Sequence, residues 1–121
     1  MSLNAQPKRG EIWRIDFDPT VGTEIRKTRP AIVISTDSVG KLPIKLVAPI
    51  TGWDTSFTGD IWHIPIEPNA QNNLTKRSAI DTLQLRGLDT ERFISRIGEV
   101  SEAELAAITL SVAAVIGLRI P

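Results

Sequence analysis

The stretch GTEIRKTRPAIVIS, residues 22–35, sets Glu24, Arg26, Lys27 and Arg29 directly ahead of a proline and an apolar run. Arginine suits an oxyanion such as a phosphate. Its planar fork holds two oxygens at once and keeps its charge at any working pH. Further along, Ser78, Ile80, Thr82, Gln84 and Arg86 alternate along one face of a second segment. That mostly polar face meets solvent or lines a groove. Asp81 falls on the opposite face, with Ala79, Leu83 and Leu85. A buried carboxylate is costly unless it is paired. Asp81 therefore either forms a salt bridge with Arg29 or Arg86, or has a working role.

The rest of the composition narrows the chemistry. The chain has 121 residues, no cysteine and one histidine, and its 14 Lys and Arg cancel its 14 Asp and Glu. Without cysteine there is no disulfide framework and no thiolate metal site. A single histidine makes neither the usual zinc site nor a two-histidine acid/base pair. No metal or other cofactor is expected. A neutral chain is a poor match for a generic nucleic-acid coat, so any such contact has to be a local patch. His63 lies between apolar residues in IWHIPI and reads as exposed or as a structural part of the sheet. The N-terminus MSLNAQPKRG lacks the apolar core of a signal peptide, and the apolar C-terminal stretch is too short and interrupted to span a bilayer. The expectation is a cytoplasmic protein with no membrane segment, a disordered tail over residues 1–7 and one domain over 8–121.

The elements that must position these residues follow from periodicity. In GEIWRIDFDPTVG, Trp13, Ile15 and Phe17 share one face and Arg14 and Asp16 the other, closed by Asp18-Pro19. PAIVIS (30–35) and IKLVAPIT (44–51) are apolar runs that read as strands buried on both faces. Residues 51–60 read as a loop, IWHIPI (61–66) as an edge strand because of Pro65, 78–86 as one strand, and 92–98 as a short strand or helical turn. Ser101 and Glu104 form a capping box. Leu105, Ile108, Val112, Val115 and Ile116 then recur at helical spacing up to Gly117. Strands followed by one helix predict a small curled antiparallel sheet or barrel capped by that helix. The helix is rich in alanine with few charges after Glu104, which fits either a dimer or an end helix buried within a monomer.

Three blocks, KRGEIWRIDFDPTVGTEIRKTRPAIVIS, VAPIT and SAIDTLQLRGLDTERFISRIGEVS, occur in order from Lys8 to the C-terminal helix. Together they resemble the MazF/PemK toxin family, the mRNA interferases of bacterial toxin–antitoxin systems. The first block is the most specific, the second is short, and the third is intermediate. The resemblance implies a mainly β, SH3-like antiparallel barrel with a C-terminal helix, acting as a homodimer in a prokaryotic cytoplasm. It implies metal-independent cleavage of single-stranded RNA, with the 2′-OH attacking its own phosphate to leave a 2′,3′-cyclic phosphate and a 5′-OH. It also implies a cognate antitoxin, and promoter DNA as a ligand of the toxin–antitoxin complex.

Carried over residue by residue, the resemblance places Arg29 and Thr51 in catalysis. Arg29 stabilises the crowded phosphorane, and the Thr51 hydroxyl holds an oxygen or orients the 2′-OH. Glu24 either fixes Arg29 or serves as the base. Gly22 supplies a positive φ at the loop apex. Arg26 and Lys27 flank the phosphates or sit on a solvated loop, and Gln84 and Arg86 contact base edges or phosphates. Trp53 either stacks on a base or anchors its loop. Trp13 reads as core. The apolar helix and the barrel groove are natural places for an antitoxin tail.

Two departures from the family pattern stand out. Thr23 occupies a position where some relatives carry histidine, and Leu83 a position where some carry aspartate. An acid/base pair built there is absent. Asp81 lies two residues earlier on the same strand face: either it substitutes for the missing acid at a displacement of roughly 6–7 Å, or Arg29 and Thr51 carry the reaction with a water or the RNA itself moving protons. The competing readings are a catalytically weak or inactive nucleic-acid-binding barrel, and a gyrase poison of the same fold. The chain ends GLRIP, without the terminal aromatic of the latter class.

Overall fold

The computed structural model describes residues 6–119. Seven strands are followed by one helix: β1 (Glu11–Asp16), β2 (Thr28–Val33), β3 (Ile44–Gly52), β4 (His63–Ile66), β5 (Ser78–Asp81), β6 (Arg86–Asp89), β7 (Phe93–Glu99) and α1 (Glu102–Val115). Every ladder is antiparallel, and the sheet runs β4-β5-β3-β2-β1-β7, with β6 beside β3. The mainly β architecture with a C-terminal helix is the one the periodicity predicts. Pro7 is fully buried, so the packed chain begins one residue ahead of the expected boundary at Lys8. Of the rest of the expected tail, Gln6 is exposed and residues 1–5 lie outside the described residues.

The sheet buries apolar side chains on both faces, because its central strands carry apolar residues at consecutive positions. On one face, Ile12, Ile32, Ala48, Ile50, Ile66 and Ile80 pack with Ile108 of α1. On the other, Trp13, Ile15, Phe17, Ala31, Val33, Val47, Leu88 and Phe93 form a second cluster. α1 starts at Ser101, whose Oγ accepts the Glu104 amide while Glu104 Oε1 accepts the Ser101 amide. That is the capping box read from the sequence. Leu105, Ile108 and Val112 turn to the first core. Buried Ser111 bonds the Ile61 carbonyl at 2.6 Å and the Thr82 hydroxyl at 2.7 Å. Ala106, Ala107 and Leu110 are left exposed, as is Ile116 at the helix end.

Strand ends shift by one or two residues elsewhere, and two differences from the sequence reading are larger in consequence. β4 starts at His63 rather than Ile61. Residues 78–86 are not one strand. β5 pairs Ile50 with Ile80 and β6 pairs Val47 with Arg86, so the register slips across Thr82–Leu85 and these residues form a turn. The connection from β4 to β5 is pinned by fully buried Asn72, whose Oδ1 accepts the amides of Asn69 and Leu74 and whose Nδ2 donates to the Glu67 carbonyl. This loop lies against Gly98 of β7, where a Cβ would come within 2.6 Å of the Asn72 and Gln71 carbonyl oxygens.

Candidate active site

The site is set by where the β2–β3 ladder ends. Its last pair is Ala31 with Pro49. Beyond that point Arg29 remains paired with Ile15 of β1, and Thr51 pairs with Ala79 of β5. Arg29 and Thr51 are each two residues past the last pair, so both project to the face of Ala31 and Pro49. Arg29 is exposed and Thr51 half-buried.

On that face lies a groove of about 370 Å³, with Phe17 and Pro49 among its apolar lining and Thr23, Glu24, Gln84 and Arg86 as polar groups. Arg86 stands directly across from Val47 in the ladder. Its Nη1 donates to the Phe17 carbonyl at 3.1 Å, and the guanidinium carbon sits 5.9 Å from the Phe17 ring centroid. Leu83 lines the groove and is 62% exposed. An apolar side chain therefore stands at the position where some relatives carry a carboxylate.

The loop between β1 and β2 forms one wall. Gly22 takes φ +61°, as expected for the apex. Lys27 also takes a positive φ, 67°, which the sequence did not signal. Its carbonyl accepts the Phe17 amide and closes the loop one residue before β2. Arg26 folds back, donating to the Gly22 carbonyl at 3.2 Å. Glu24 Oε1 accepts the Val21 amide at 2.6 Å. Among the described residues no ion pair joins Arg29 to Glu24 or Asp81. The reading in which Glu24 fixes Arg29 is not what the loop does.

Asp81 is buried, but not as a free acid displaced along a strand. Because the chain turns at Thr82, its Oδ1 accepts the amides of Leu83 and Gln84, and its Oδ2 accepts Gln84 Nε2 at 3.0 Å. Neither Arg29 nor Arg86 is its partner. His63, opposite it in the β4–β5 ladder, places Nε2 3.7 Å from Oδ2 and Nδ1 3.0 Å from Asp60 Oδ2. Sequence reasoning missed this pairing. The alternation of IWHIPI puts a histidine on a strand face but does not show which residue faces it across the ladder.

Trp53 is away from the groove. It lines a separate hollow, edge-on to Phe57 at 5.7 Å and under the Arg77 guanidinium at 4.6 Å. This is the loop-anchor reading rather than an open stacking platform. Among the described residues no group of three His, Cys, Asp or Glu side chains is arranged to hold a metal ion, and no helix is long and apolar enough to cross a membrane.

A small, curled antiparallel sheet with one capping helix carries an arginine and a threonine at the parted ends of two strands, on the face of a groove lined by both Glu24 and Arg86. Residues 8–116 match the model of the PemK-like, MazF-like toxins of type II toxin–antitoxin systems, and the chain belongs to that family. It is 34% identical over 106 residues to endoribonuclease MazF9 of Mycobacterium tuberculosis, covering 82% of this chain and 86% of that one. It is 29% identical over 113 residues to endoribonuclease MazF of Staphylococcus saprophyticus, covering 93% and 92%. The crystal structure of MazF from Deinococcus radiodurans superposes with a TM-score of 0.79 at 21% identity, over 94% of this chain and 99% of that one. An endoribonuclease from a mycobacterial species, in complex with its cognate antitoxin, has the same fold at a TM-score of 0.75 and 18% identity, over 95% and 99%.

Proposed function

We propose that this family member is an endoribonuclease toxin that cuts single-stranded RNA without a metal ion and is neutralised by a cognate antitoxin. The observation that carries the reading is the placement of Arg29 and Thr51 on one sheet face at the end of the β2–β3 ladder, the face on which Pro49 and Arg86 line the groove; Arg29 and Thr51 stand outside that lining. The names of the relatives above support it.

Cleavage by the 2′-OH needs an acceptor for its proton, a cation for the phosphorane and an acid for the leaving 5′ oxygen. Among the described residues Arg29 has no ion-pair partner to leave before it meets a phosphate, and its fork suits two phosphate oxygens. The Thr51 hydroxyl donates to a non-bridging oxygen or orients the 2′-OH. With the Asp81 carboxylate taken up by three N–H donors, Glu24 is the carboxylate on the groove left to take the proton. Its Oε1 is held by the Val21 amide, which fixes the group while leaving Oε2 to act. Arg86, Thr23 and Gln84 line the path of the strand, and Arg26 and Lys27 sit on the exposed loop where flanking phosphates pass.

The active unit is a homodimer, supported by the exposed Ala106, Ala107 and Leu110 face of α1, and an antitoxin tail occupies the groove in the neutralised complex. The toxin–antitoxin complex binds promoter DNA. The purified chain, incubated with single-stranded RNA in EDTA, is expected to leave 2′,3′-cyclic phosphate and 5′-OH ends. Cutting that requires a divalent ion, or that leaves 5′-phosphates, contradicts the mechanism. No cutting of any single-stranded RNA contradicts the activity.

A further inference from the structure

The loop that carries Glu24 is tied to the rest of the protein by very little. Among the described residues, the side-chain and backbone hydrogen bonds of residues 20–27 are local to the β1–β2 hairpin, with one exception. The Ile25 amide donates to Gln84 Oε1 at 2.7 Å, across 59 residues of chain. Gln84 in turn is oriented by Asp81. Its Nε2 must face the acceptor-only carboxylate so that its oxygen faces the donor-only Ile25 amide, because a neutral amide has one end of each kind. Asp81 is buried, and His63 stands behind it. His63 is itself fixed by Asp60 at 3.0 Å and by the Phe57 ring stacked at a centroid distance of 3.8 Å.

We propose that His63, Asp81 and Gln84 form a positioning relay that holds the Ile25 backbone, and with it the groove wall bearing Glu24, so that Asp81 and His63 act through Gln84 rather than on RNA. The relay joins the loop around Phe57 and Asp60 to the loop around Glu24, two segments that share no ladder. It gives the buried carboxylate at residue 81 a use, while residue 83 is an exposed leucine. The carboxylate binds the turn and points the glutamine. Its consequence for cleavage rests on the ribonuclease reading above; the relay itself does not.

The relay is tested by amide hydrogen exchange in the full chain without RNA. Gln84→Ala is expected to speed exchange at Ile25 by about tenfold, the loss of one well-placed hydrogen bond, with Ile32 in β2 unchanged. Asp81→Asn sets an N–H donor against Gln84 Nε2 and is expected to do the same. The double variant D81N/Q84E inverts the pair. The introduced amide donates to the introduced carboxylate, whose second oxygen takes the Ile25 amide, and protection at Ile25 is expected to return. His63→Ala is expected to give a smaller increase at Ile25. If Ile25 exchanges at the wild-type rate in Gln84→Ala, or if the double variant is no slower than the single ones, the relay is wrong. Should Asp81→Asn lose protection at Ile32 as well, and so fail to fold, Gln84→Ala alone decides. Single-turnover cutting of an RNA transcript is expected to fall in Asp81→Asn and, by less, in His63→Ala, since neither residue lines the groove. Faster exchange at Ile25 in Asp81→Asn with cutting unchanged overturns the positioning role. A wild-type protein that cuts nothing contradicts the ribonuclease reading and leaves the exchange result to judge the relay.

Discussion

Arg29 and Thr51 face the same side of the sheet, each two residues past the Ala31–Pro49 pair that ends the β2–β3 ladder. The strands part here because each continues with its other neighbour, β2 with β1 and β3 with β5. A cation and a hydroxyl are thus delivered from the rigid ends of two strands, where a misplacement of even 1 Å would be costly to a reaction. Thr51→Val keeps the shape and the backbone pairing with Ala79 but removes the hydroxyl. Single-turnover cutting is expected to fall on the order of 10²-fold, the usual cost of one such donor, with the melting temperature unchanged.

Glu11 gives the protein an acid-sensitive stitch. Burial alone would raise its pKa, but the Lys8 amide, Trp13 Nε1 and Arg96 Nε all donate to the carboxylate and hold it below the ordinary value. A depressed folded-state pKa means that the unfolded chain binds the proton more readily. The stabilisation is therefore complete above the unfolded value of about 4.3 and is lost as pH falls through the lower folded value. Glu11→Gln is expected to lower stability at neutral pH and to flatten its fall in acid. Denaturant melts at a series of pH values test this, and parallel curves for the two proteins contradict it.

The Asn72 loop and Gly98 make a second test, of stability alone. Gly98→Ala places a Cβ within 2.6 Å of backbone oxygens that cannot swing aside as a side chain would. The expected cost is about 1–3 kcal/mol, as for other overpacked sites. Asn72→Ala strands the amides of Asn69 and Leu74 and the Glu67 carbonyl, with about 1–3 kcal/mol for each buried group that finds no water. Both are read by equilibrium urea unfolding.

Leu110 is 52% exposed on the face of α1 turned away from the core. If that face is the contact between two copies, Leu110→Arg is expected to halve the sedimenting mass while leaving the circular dichroism spectrum unchanged. A wild type that sediments as a single chain contradicts the homodimer.

Much of this architecture was legible because it rests on local signals. Alternation at Trp13, Ile15 and Phe17, the apolar runs at 30–35 and 44–51, and the Ser101–Glu104 cap each specify an element within a few residues. The roles proposed for Arg29 and Thr51 rest on the motifs that hold them. What stayed hidden depends on pairing between distant segments. Residues 78–86 alternate well enough to read as one strand, yet Asp81 draws back the amides of Leu83 and Gln84 and breaks it. That turn changed the meaning of Asp81 from a substitute acid to the anchor of Gln84, and it brought in His63, which the pattern of its own strand left as a bystander. Glu24 was placed beside Arg29 by proximity in sequence, but its nearest donor is the Val21 amide in its own loop.

The central claim is that Arg29, at the strand end, stabilises the phosphate during RNA cleavage. It is tested most directly by single-turnover cutting of one single-stranded transcript by wild type, Arg29→Lys and Arg29→Ala, with unfolding measured on the same samples. Arg29 is exposed, so folding should be preserved in both variants. The rate is expected to fall on the order of 10²–10³-fold in Arg29→Ala, with partial recovery in Arg29→Lys, which restores charge without the fork. Equal cutting by wild type and Arg29→Ala would contradict the account.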